Sequence, residues 1–195
     1  MFSKSDLPDS KRIMDFTFSA TFILCFFWLF LIIGILVRFS SPGPIIHMSK
    51  RVGLHGRIYS MPKFRTMTCD APEVPTDLLK DPSNYITWIG VVLRRSSLDE
   101  LPQFFSVLVG DMSLVGPRPS LRSQENLTSM RSKLGILSIK PGITGWAQVN
   151  GRDMIEESEK IQLDKFYLDN RSTFFDVKII CMTFVHAIYG YRVKH

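Results

Sequence analysis

Cysteine is scarce in this chain, with three among 195 residues, at positions 25, 69 and 181. An odd number of cysteines without the spacing of metal ligands argues against a disulfide-stapled scaffold and predicts reduced thiols. Internal repeats and low-complexity tracts are also missing. The length therefore fits one domain with a core of its own, together with a short appendage.

Charge is missing altogether from Phe16 to Val37, near the N-terminus. This apolar run is long enough to cross a bilayer core of about 30 Å. It is longer than the roughly 7–15 apolar residues of a secretory signal peptide, and no small-x-small cleavage site follows it. Pro42 and Pro44 come next and cannot continue a helix. We therefore predict a membrane helix that the mature protein retains.

Acidic residues are the minority, which gives the chain a formal charge of +6. Lys4, Lys11 and Arg12 precede the apolar run, whereas six cations follow it: Arg38, Lys50, Arg51, Arg57, Lys63 and Arg65. By the positive-inside rule, the main domain is then cytoplasmic. Attraction of basic side chains to anionic headgroups is a second explanation of the same distribution.

The most informative motif is the adjacent carboxylate pair Asp99 and Glu100. Ser97 and Glu100 have the spacing of a capping box, which would make them a structural helix start. Pro102 disagrees with that interpretation, because it would remove a backbone hydrogen bond from such a helix. We therefore expect an irregular turn, or a helix that starts nearer Asp99. The side chains of neighbouring helical residues point about 100° apart around the helix axis. We therefore predict different roles for the two carboxylates: one attacks the substrate and the other binds a metal ion.

A stiff turn, Gly116-Pro117-Arg118-Pro119, presents a single guanidinium between two prolines. Guanidinium groups bind phosphate through two parallel hydrogen bonds. Together with the carboxylate pair, this turn suits the binding and attack of a phosphorylated substrate.

The rest of the pattern predicts an α+β fold that is mainly helical. Short strands at 45–48 and 57–61 flank a glycine turn and predict a hairpin. The alternation that follows would put Lys63 and Arg65 on one face of an extended segment. Loops are predicted at 70–84 and, rich in glycine, at 140–152. Helices are predicted at 85–95 and 153–168. The segments 101–109 and 179–189 are largely apolar, and we expect each to be buried or to lie at the membrane interface.

Seven motifs occur in the same order as in the bacterial sugar transferase family, the monotopic polyprenyl-phosphate phosphoglycosyl transferases, which this chain resembles. The resemblance covers nearly the whole length and is most similar to the family's minimal form, a catalytic domain with one membrane helix. The motifs are Lys11-Arg12-x-x-Asp15, Ser41-Pro42-Gly43-Pro44, Arg51-Val52-Gly53-Leu54-x-Gly56, Lys63-Phe64-Arg65-Thr66-Met67, Ser97-Leu98-Asp99-Glu100-Leu101-Pro102-Gln103, Gly110 through Pro119, and Lys140-Pro141-Gly142-Ile143-Thr144-Gly145-Trp146.

The resemblance implies that a sugar-1-phosphate passes from a UDP-sugar to undecaprenyl (polyprenyl) phosphate, releasing UMP. It assigns the nucleophile to Asp99 and a Mg²⁺ ligand to Glu100. A carboxylate at a helix N-terminus would be kept ionised by the helix dipole, which agrees with attack by Asp99. Arg118 is the leading phosphate-binding residue. The further substrate-binding candidates are Lys63, Arg65, Arg94, Gln148 and Arg152.

The same resemblance implies a site at the cytoplasmic face of the bacterial inner membrane, because UDP-sugars are cytosolic and the polyprenyl tail stays in lipid. We expect a membrane segment over 1–39 and, over 40–195, a compact catalytic domain with a small β-hairpin and interfacial amphipathic helices. The alternative is a non-enzymatic, membrane-tethered basic module for anionic lipid or nucleic acid. That alternative is disfavoured because the cations stand singly in glycine and proline turns; no nucleic-acid partner is expected.

One departure from the family pattern concerns the membrane helix. Members commonly carry a Ser-Pro pair at its middle, which bends it back to the cytoplasmic face, whereas this chain has Phe27-Trp28 there. Sharp kinks almost always need proline, a Gly/Ser pair or a bulge. The sequence therefore argues against a bend and keeps a spanning helix open, although the Lys11-Arg12-x-x-Asp15 motif favours a cytosolic N-terminus and a re-entrant helix.

Overall fold

The computed structural model describes residues 7–72, 81–151 and 155–189. Over these residues the fold is mainly helical, as the sequence predicted, and contains two small sheets, of which the sequence predicted the first, a hairpin. The helices are α1 (Leu7–Cys25), α2 (Phe27–Ser40), α3 (Trp88–Ser96), α4 (Gln103–Val109), α5 (Glu125–Lys133), α6 (Trp146–Asn150), α7 (Glu157–Asn170) and α8 (Thr173–Tyr189). The strands are β1 (Ile46–Val52), β2 (Ile58–Phe64), β3 (Ser113–Val115) and β4 (Gly142–Thr144).

The N-terminal apolar segment is a bent helix pair, which corrects the expectation of an unbent helix. The described parts of α1 and α2 meet at Phe26 at an angle of 64°. Among the described residues, no single helix has the length and apolar character to cross a membrane, whereas this bent pair has them jointly. The bend contains no proline, and aromatic contacts hold both halves on the domain. Phe22 of α1 stacks on Phe104 of α4 with ring centroids 4.1 Å apart, and Phe30 of α2 packs against Phe105 of α4 and Phe64 of β2.

Polar contacts attach the first half of this pair to the domain. Lys11 Nζ bonds Asp176 Oδ2 at 2.5 Å and donates to the Val115 carbonyl at 3.1 Å. Arg12 donates to two carbonyls at the end of α4, and Asp15 Oδ1 accepts from the Leu114 N–H at 3.0 Å. The N-terminal part of α1 is therefore fixed to β3, α4 and α8.

The other end of the pair is attached to the same domain through Arg65. This arginine is buried, and it donates to the carbonyls of Ser41 and Pro42 at 2.6 and 2.9 Å. Its guanidinium therefore closes the turn after α2. Both ends of the bent pair are thus held by one folded unit.

Strands β1 and β2 form the antiparallel hairpin that the sequence predicted, with Ile46 opposite Phe64 and Val52 opposite Ile58. The helix predicted at 85–95 is observed as α3. It starts at Trp88, three residues later than predicted, because the Thr87 hydroxyl caps it by accepting from the Gly90 N–H. The helix predicted for 153–168 is observed as α7, and Asp153, its expected cap, lies outside the described residues.

The segment predicted as a glycine-rich loop, 140–152, contains regular structure instead. Its first part is β4, which pairs in parallel with β3, so that Ser113 lies opposite Gly142 and Val115 opposite Thr144. The pairing needs a glycine at position 142, because a Cβ there would clash with the backbone of Gly116. The chain then turns into α6, and the main core gathers around these strands from residues Met61, Val107, Met112, Leu114, Val115, Val149, Tyr167 and Ile179.

Candidate functional site

The carboxylate pair lies in a 3₁₀ turn, Leu98–Glu100, between α3 and α4. Ser97 precedes it with φ 58°, in the left-handed region, and does not cap this turn with its side chain. The capping box is therefore absent, and the irregular turn that Pro102 predicted is confirmed. This local geometry gives the two carboxylates different surroundings.

Glu100 forms ion pairs with two cations from distant parts of the chain. Lys63 Nζ, at the end of β2, lies 2.8 Å from Glu100 Oε1, and Arg118 Nη2 lies 2.9 Å from the same oxygen. Lys63 Nζ is also 3.8 Å from Asp99 Oδ2. The fold thus brings together four of the predicted site residues: Lys63, Asp99, Glu100 and Arg118.

The pKa values of the two carboxylates are shifted in opposite directions. Burial by itself would raise the pKa of Glu100, but Arg118 and Lys63 outweigh burial and lower that pKa well below its usual range. Burial raises the pKa of Asp99, and Lys63 opposes this rise without cancelling it. Environments that separate the pKa values of adjacent carboxylates are typical of sites where the two have different roles.

The raised pKa of Asp99 corrects the expectation that a helix dipole keeps this group ionised. Asp99 does not stand at the N-terminus of an α-helix, since α4 begins only at Gln103. Its turn follows the C-terminus of α3 instead. The cations around Asp99, and not a helix dipole, therefore oppose its protonation.

Two further arginines lie beside the carboxylates. Arg94 donates from Nε to the Thr66 hydroxyl at 2.9 Å; burial lowers its pKa and the charge of Asp99 opposes that change. Arg51, which the sequence analysis did not assign to the site, donates to the Pro119 carbonyl at 3.3 Å. Burial lowers the pKa of Arg51 to about 10, with a further contribution from the neighbouring charge of Arg118. Its place in the Arg51-Val52-Gly53 motif was the signal that could have identified it.

The other predicted site residues are placed differently. Arg65 donates to the carbonyls of Ser41 and Pro42 in the turn after α2. Gln148, on α6, has both amide atoms buried without a hydrogen-bond partner among the described residues. Arg152 lies outside the described residues. The phosphate and substrate contacts expected of Arg65, Gln148 and Arg152 stay predictions.

The acidic pair fits a magnesium ion better than a metal bound wholly by protein. In the described part of the chain, no group of three or more His, Cys, Asp or Glu side chains could hold a metal ion. Mg²⁺ commonly takes only one or two carboxylates and completes its shell with water and substrate phosphates. Lys63 and Arg118 both contact Oε1 of Glu100, which leaves Oε2 as the oxygen that could bind a metal ion without displacing either cation.

Comparison with known proteins places these motifs in one family. The model of the family described as bacterial sugar transferase matches residues 8–190. The chain is 43% identical over 174 residues to the uncharacterized sugar transferase EpsL of Bacillus subtilis (strain 168), with 89% of this chain and 84% of that protein aligned.

Two relatives with named activities align over most of this chain. One is the UDP-glucose:undecaprenyl-phosphate glucose-1-phosphate transferase of Escherichia coli (strain K12), 37% identical over 181 residues, which are 89% of this chain and 39% of that protein. The other is the UDP-N-acetylgalactosamine-undecaprenyl-phosphate N-acetylgalactosaminephosphotransferase of Aeromonas hydrophila, 35% identical over 189 residues, 94% of this chain and 45% of that protein. The chain therefore spans less than half the length of these two relatives.

Proposed function

The chain belongs to the bacterial sugar transferase family, and from this premise we propose that it transfers a sugar-1-phosphate from a UDP-sugar to undecaprenyl phosphate, with release of UMP. The observation that carries the proposal is the convergence of Lys63 and Arg118 on a buried Asp99–Glu100 turn. The named relatives act on UDP-sugars and undecaprenyl phosphate. The reaction fits the first membrane step in the assembly of a bacterial polysaccharide.

In the proposed first step, a carboxylate oxygen of Asp99 attacks the β-phosphorus of the UDP-sugar. The bond between that phosphorus and the bridging oxygen breaks, and its electron pair leaves with UMP. In the second step, a phosphate oxygen of undecaprenyl phosphate attacks the same phosphorus and restores the Asp99 carboxylate. A covalent intermediate divides one transfer between two large substrates into two easier displacements.

The cations of the site supply the charge that such a transfer requires. Phosphoryl transfer depends on positioning and on neutralising negative charge spread over the phosphate oxygens. Arg118, whose side chain is 41% exposed, can reach a bound phosphate while its guanidinium stays beside Glu100. Lys63 and Arg94 face the attacking carboxylate and favour its ionised form. Glu100 would hold Mg²⁺, which when bound supplies further positive charge to offset the negative charge of the phosphates.

The proposed reaction predicts a definite product pattern. Purified chain in detergent micelles, given Mg²⁺ and a panel of UDP-sugars that includes glucose and N-acetylgalactosamine, releases at most one UMP per protein without undecaprenyl phosphate. Adding that acceptor gives repeated turnover with one or more of the sugars. If every sugar of the panel gives no UMP with the acceptor present, the proposed function is wrong.

The raised pKa of Asp99 predicts an acid limit to the activity. The attacking form is the carboxylate, so kcat/KM falls as the pH falls through the pKa of Asp99. Lys63 opposes the rise of this pKa. We therefore expect Lys63→Met to shift the acid limb, the pH range over which kcat/KM falls, to higher pH by about one pH unit. Lys165→Met, which removes an exposed partner of Asp169, is the matched control and leaves the limb in place. An acid limb of Lys63→Met at or below the wild-type pH contradicts this electrostatic role.

We also propose that the bent pair α1–α2 is a re-entrant membrane helix and that the site lies at the cytoplasmic face of the inner membrane. The reason is geometric: Lys11 at one end and the Ser41 turn at the other both bind the same domain. A spanning helix would require those two ends to lie on opposite sides of the bilayer. Large apolar side chains that are exposed on the pair and on α3 and α4 would contact lipid, among them Leu24, Trp28, Ile35, Trp88, Phe105 and Val109.

A labelling experiment decides this topology. We expect a cysteine that replaces Ser3, in a chain whose Cys25, Cys69 and Cys181 are changed to serine, to resist a membrane-impermeant maleimide in intact cells. The same cysteine reacts once the cells are opened. Labelling of intact cells would place the N-terminus in the periplasm and contradict the re-entrant form.

A further inference from the structure

Arg131 of α5 is a buried arginine with two separate partners. Its side chain is 5% exposed, and Nη2 bonds Oδ2 of Asp164, on α7, at 2.6 Å. The second terminal nitrogen, Nη1, donates to the main-chain carbonyl of Arg118 at 2.7 Å. One guanidinium therefore joins a buried carboxylate to the backbone of a site residue.

The turn around Arg118 has a particular need for such a contact. Pro117 and Pro119 have no N–H groups, so neither can anchor the turn by donating a backbone hydrogen bond. At its start, the Gly116 N–H donates to the Thr144 carbonyl at 2.9 Å. From Pro117 to Pro119 the contacts are made through the carbonyls. The Gly142 N–H donates to Pro117, Arg131 to Arg118, and Arg51 to Pro119.

Stability alone is a weak reason for the Arg131–Asp164 pair. Buried ion pairs lose much of their attraction to desolvation, and apolar side chains of similar volume often stabilise a protein as well or better. An apolar replacement cannot, however, donate a hydrogen bond to the Arg118 carbonyl. The forked guanidinium can bond both partners at once, which an aliphatic side chain cannot do.

We propose that Arg131, held by Asp164, is a positioning residue that fixes the backbone of Arg118 and thereby aims its guanidinium at Glu100 and the substrate phosphate. This inference rests on the proposed sugar-phosphate transfer. Misplacing a catalytic group by about 1 Å can cost on the order of 10²-fold in rate. Neither Arg131 nor Asp164 touches the carboxylate pair, so both act through Arg118.

The test separates positioning from stability with the double variant Arg131→Met/Asp164→Leu. Removing both charges avoids an unpaired buried ion, so we expect a Tm close to that of the wild type. We nevertheless expect kcat/KM for UMP release to fall about 10- to 100-fold. A variant that is as stable and as active as the wild type would overturn the inference. A wild type that releases no UMP would instead refute the proposed function.

A double-mutant cycle shows whether the effect passes through Arg118. In an Arg118→Met background, the Arg131→Met/Asp164→Leu change should lower kcat/KM by less than about twofold, because the group that it positions is gone. Independent, multiplying losses would overturn the inference. If the apolar pair does not fold, Arg131→Lys is the second variant: it keeps the charge beside Asp164 but loses the fork. We expect Arg131→Lys to lower kcat/KM by a larger factor when residue 118 is arginine than when it is methionine. An unchanged kcat/KM in the chain that keeps Arg118 would contradict the positioning role.

Discussion

Replacing Asp99 by asparagine lowers UMP release by about 10⁴-fold or more, because an amide oxygen at this position cannot displace UMP. The substitution keeps the shape of a side chain that is largely buried. The raised pKa of Asp99 also means that the variant removes a group whose charge is costly in the folded protein. Its Tm should therefore equal or exceed that of the wild type, and loss of activity would not reflect unfolding.

Asp169→Asn is the matched control for this experiment. Asp169 is 54% exposed and forms an ion pair with Lys165, one turn away on α7. We expect wild-type UMP release from this variant with every active sugar. If Asp99→Asn retains more than a few per cent of wild-type turnover, with no reversion to aspartate in the sample, Asp99 is not the nucleophile.

Changing Glu100 to glutamine lowers kcat/KM by at least about 10²-fold and raises the Mg²⁺ concentration needed for half-maximal rate. The reason is that the loss of a ligand should cost at least as much as the loss of its supporting partners, which costs about 10- to 100-fold. The change also removes the negative charge that Lys63 and Arg118 now share. Titration of initial UMP release with Mg²⁺ measures both effects.

Glu157→Gln, at an exposed position in the first turn of α7, serves as the control and keeps the wild-type Mg²⁺ dependence. Partial recovery of Glu100→Gln at high Mg²⁺ is the expected behaviour of a weakened metal site. A large loss of rate with an unchanged Mg²⁺ dependence would restrict Glu100 to holding Lys63 and Arg118, and would contradict the proposed metal ligand.

Much of the site could be predicted from local sequence. The pair Asp99–Glu100 and the turn at Arg118 each have a distinctive chemical pattern, and Pro102 correctly indicated an irregular turn. The β1–β2 hairpin followed from apolar alternation around a glycine turn. What the pattern could not provide was the contact of Lys63 and Arg118 on one oxygen of Glu100, because residues 37 and 18 positions apart meet only through the tertiary fold.

The errors have a common physical origin in packing between distant segments. The bend at Phe26 joins two helices that both pack on the domain through aromatic rings, and no local helix breaker marks it. The partners of Arg65 at Ser41 and Pro42 also come from the tertiary fold, and the alternation of residues 63–67 gives no sign of them. The parallel pairing of β3 and β4 joins short segments that are too far apart in the chain for a periodic signal. Asp99 is likewise governed by burial in the folded protein, which the sequence motif does not reveal.

The most direct measurement is intact-protein and peptide mass spectrometry of the chain incubated with Mg²⁺ and its UDP-sugar in the absence of undecaprenyl phosphate. The account predicts an added mass of one sugar-phosphate, carried by the peptide that contains Asp99 and lost when the acceptor is added. An adduct on a different side chain, or full turnover with no adduct under conditions that preserve acyl phosphates, would contradict it.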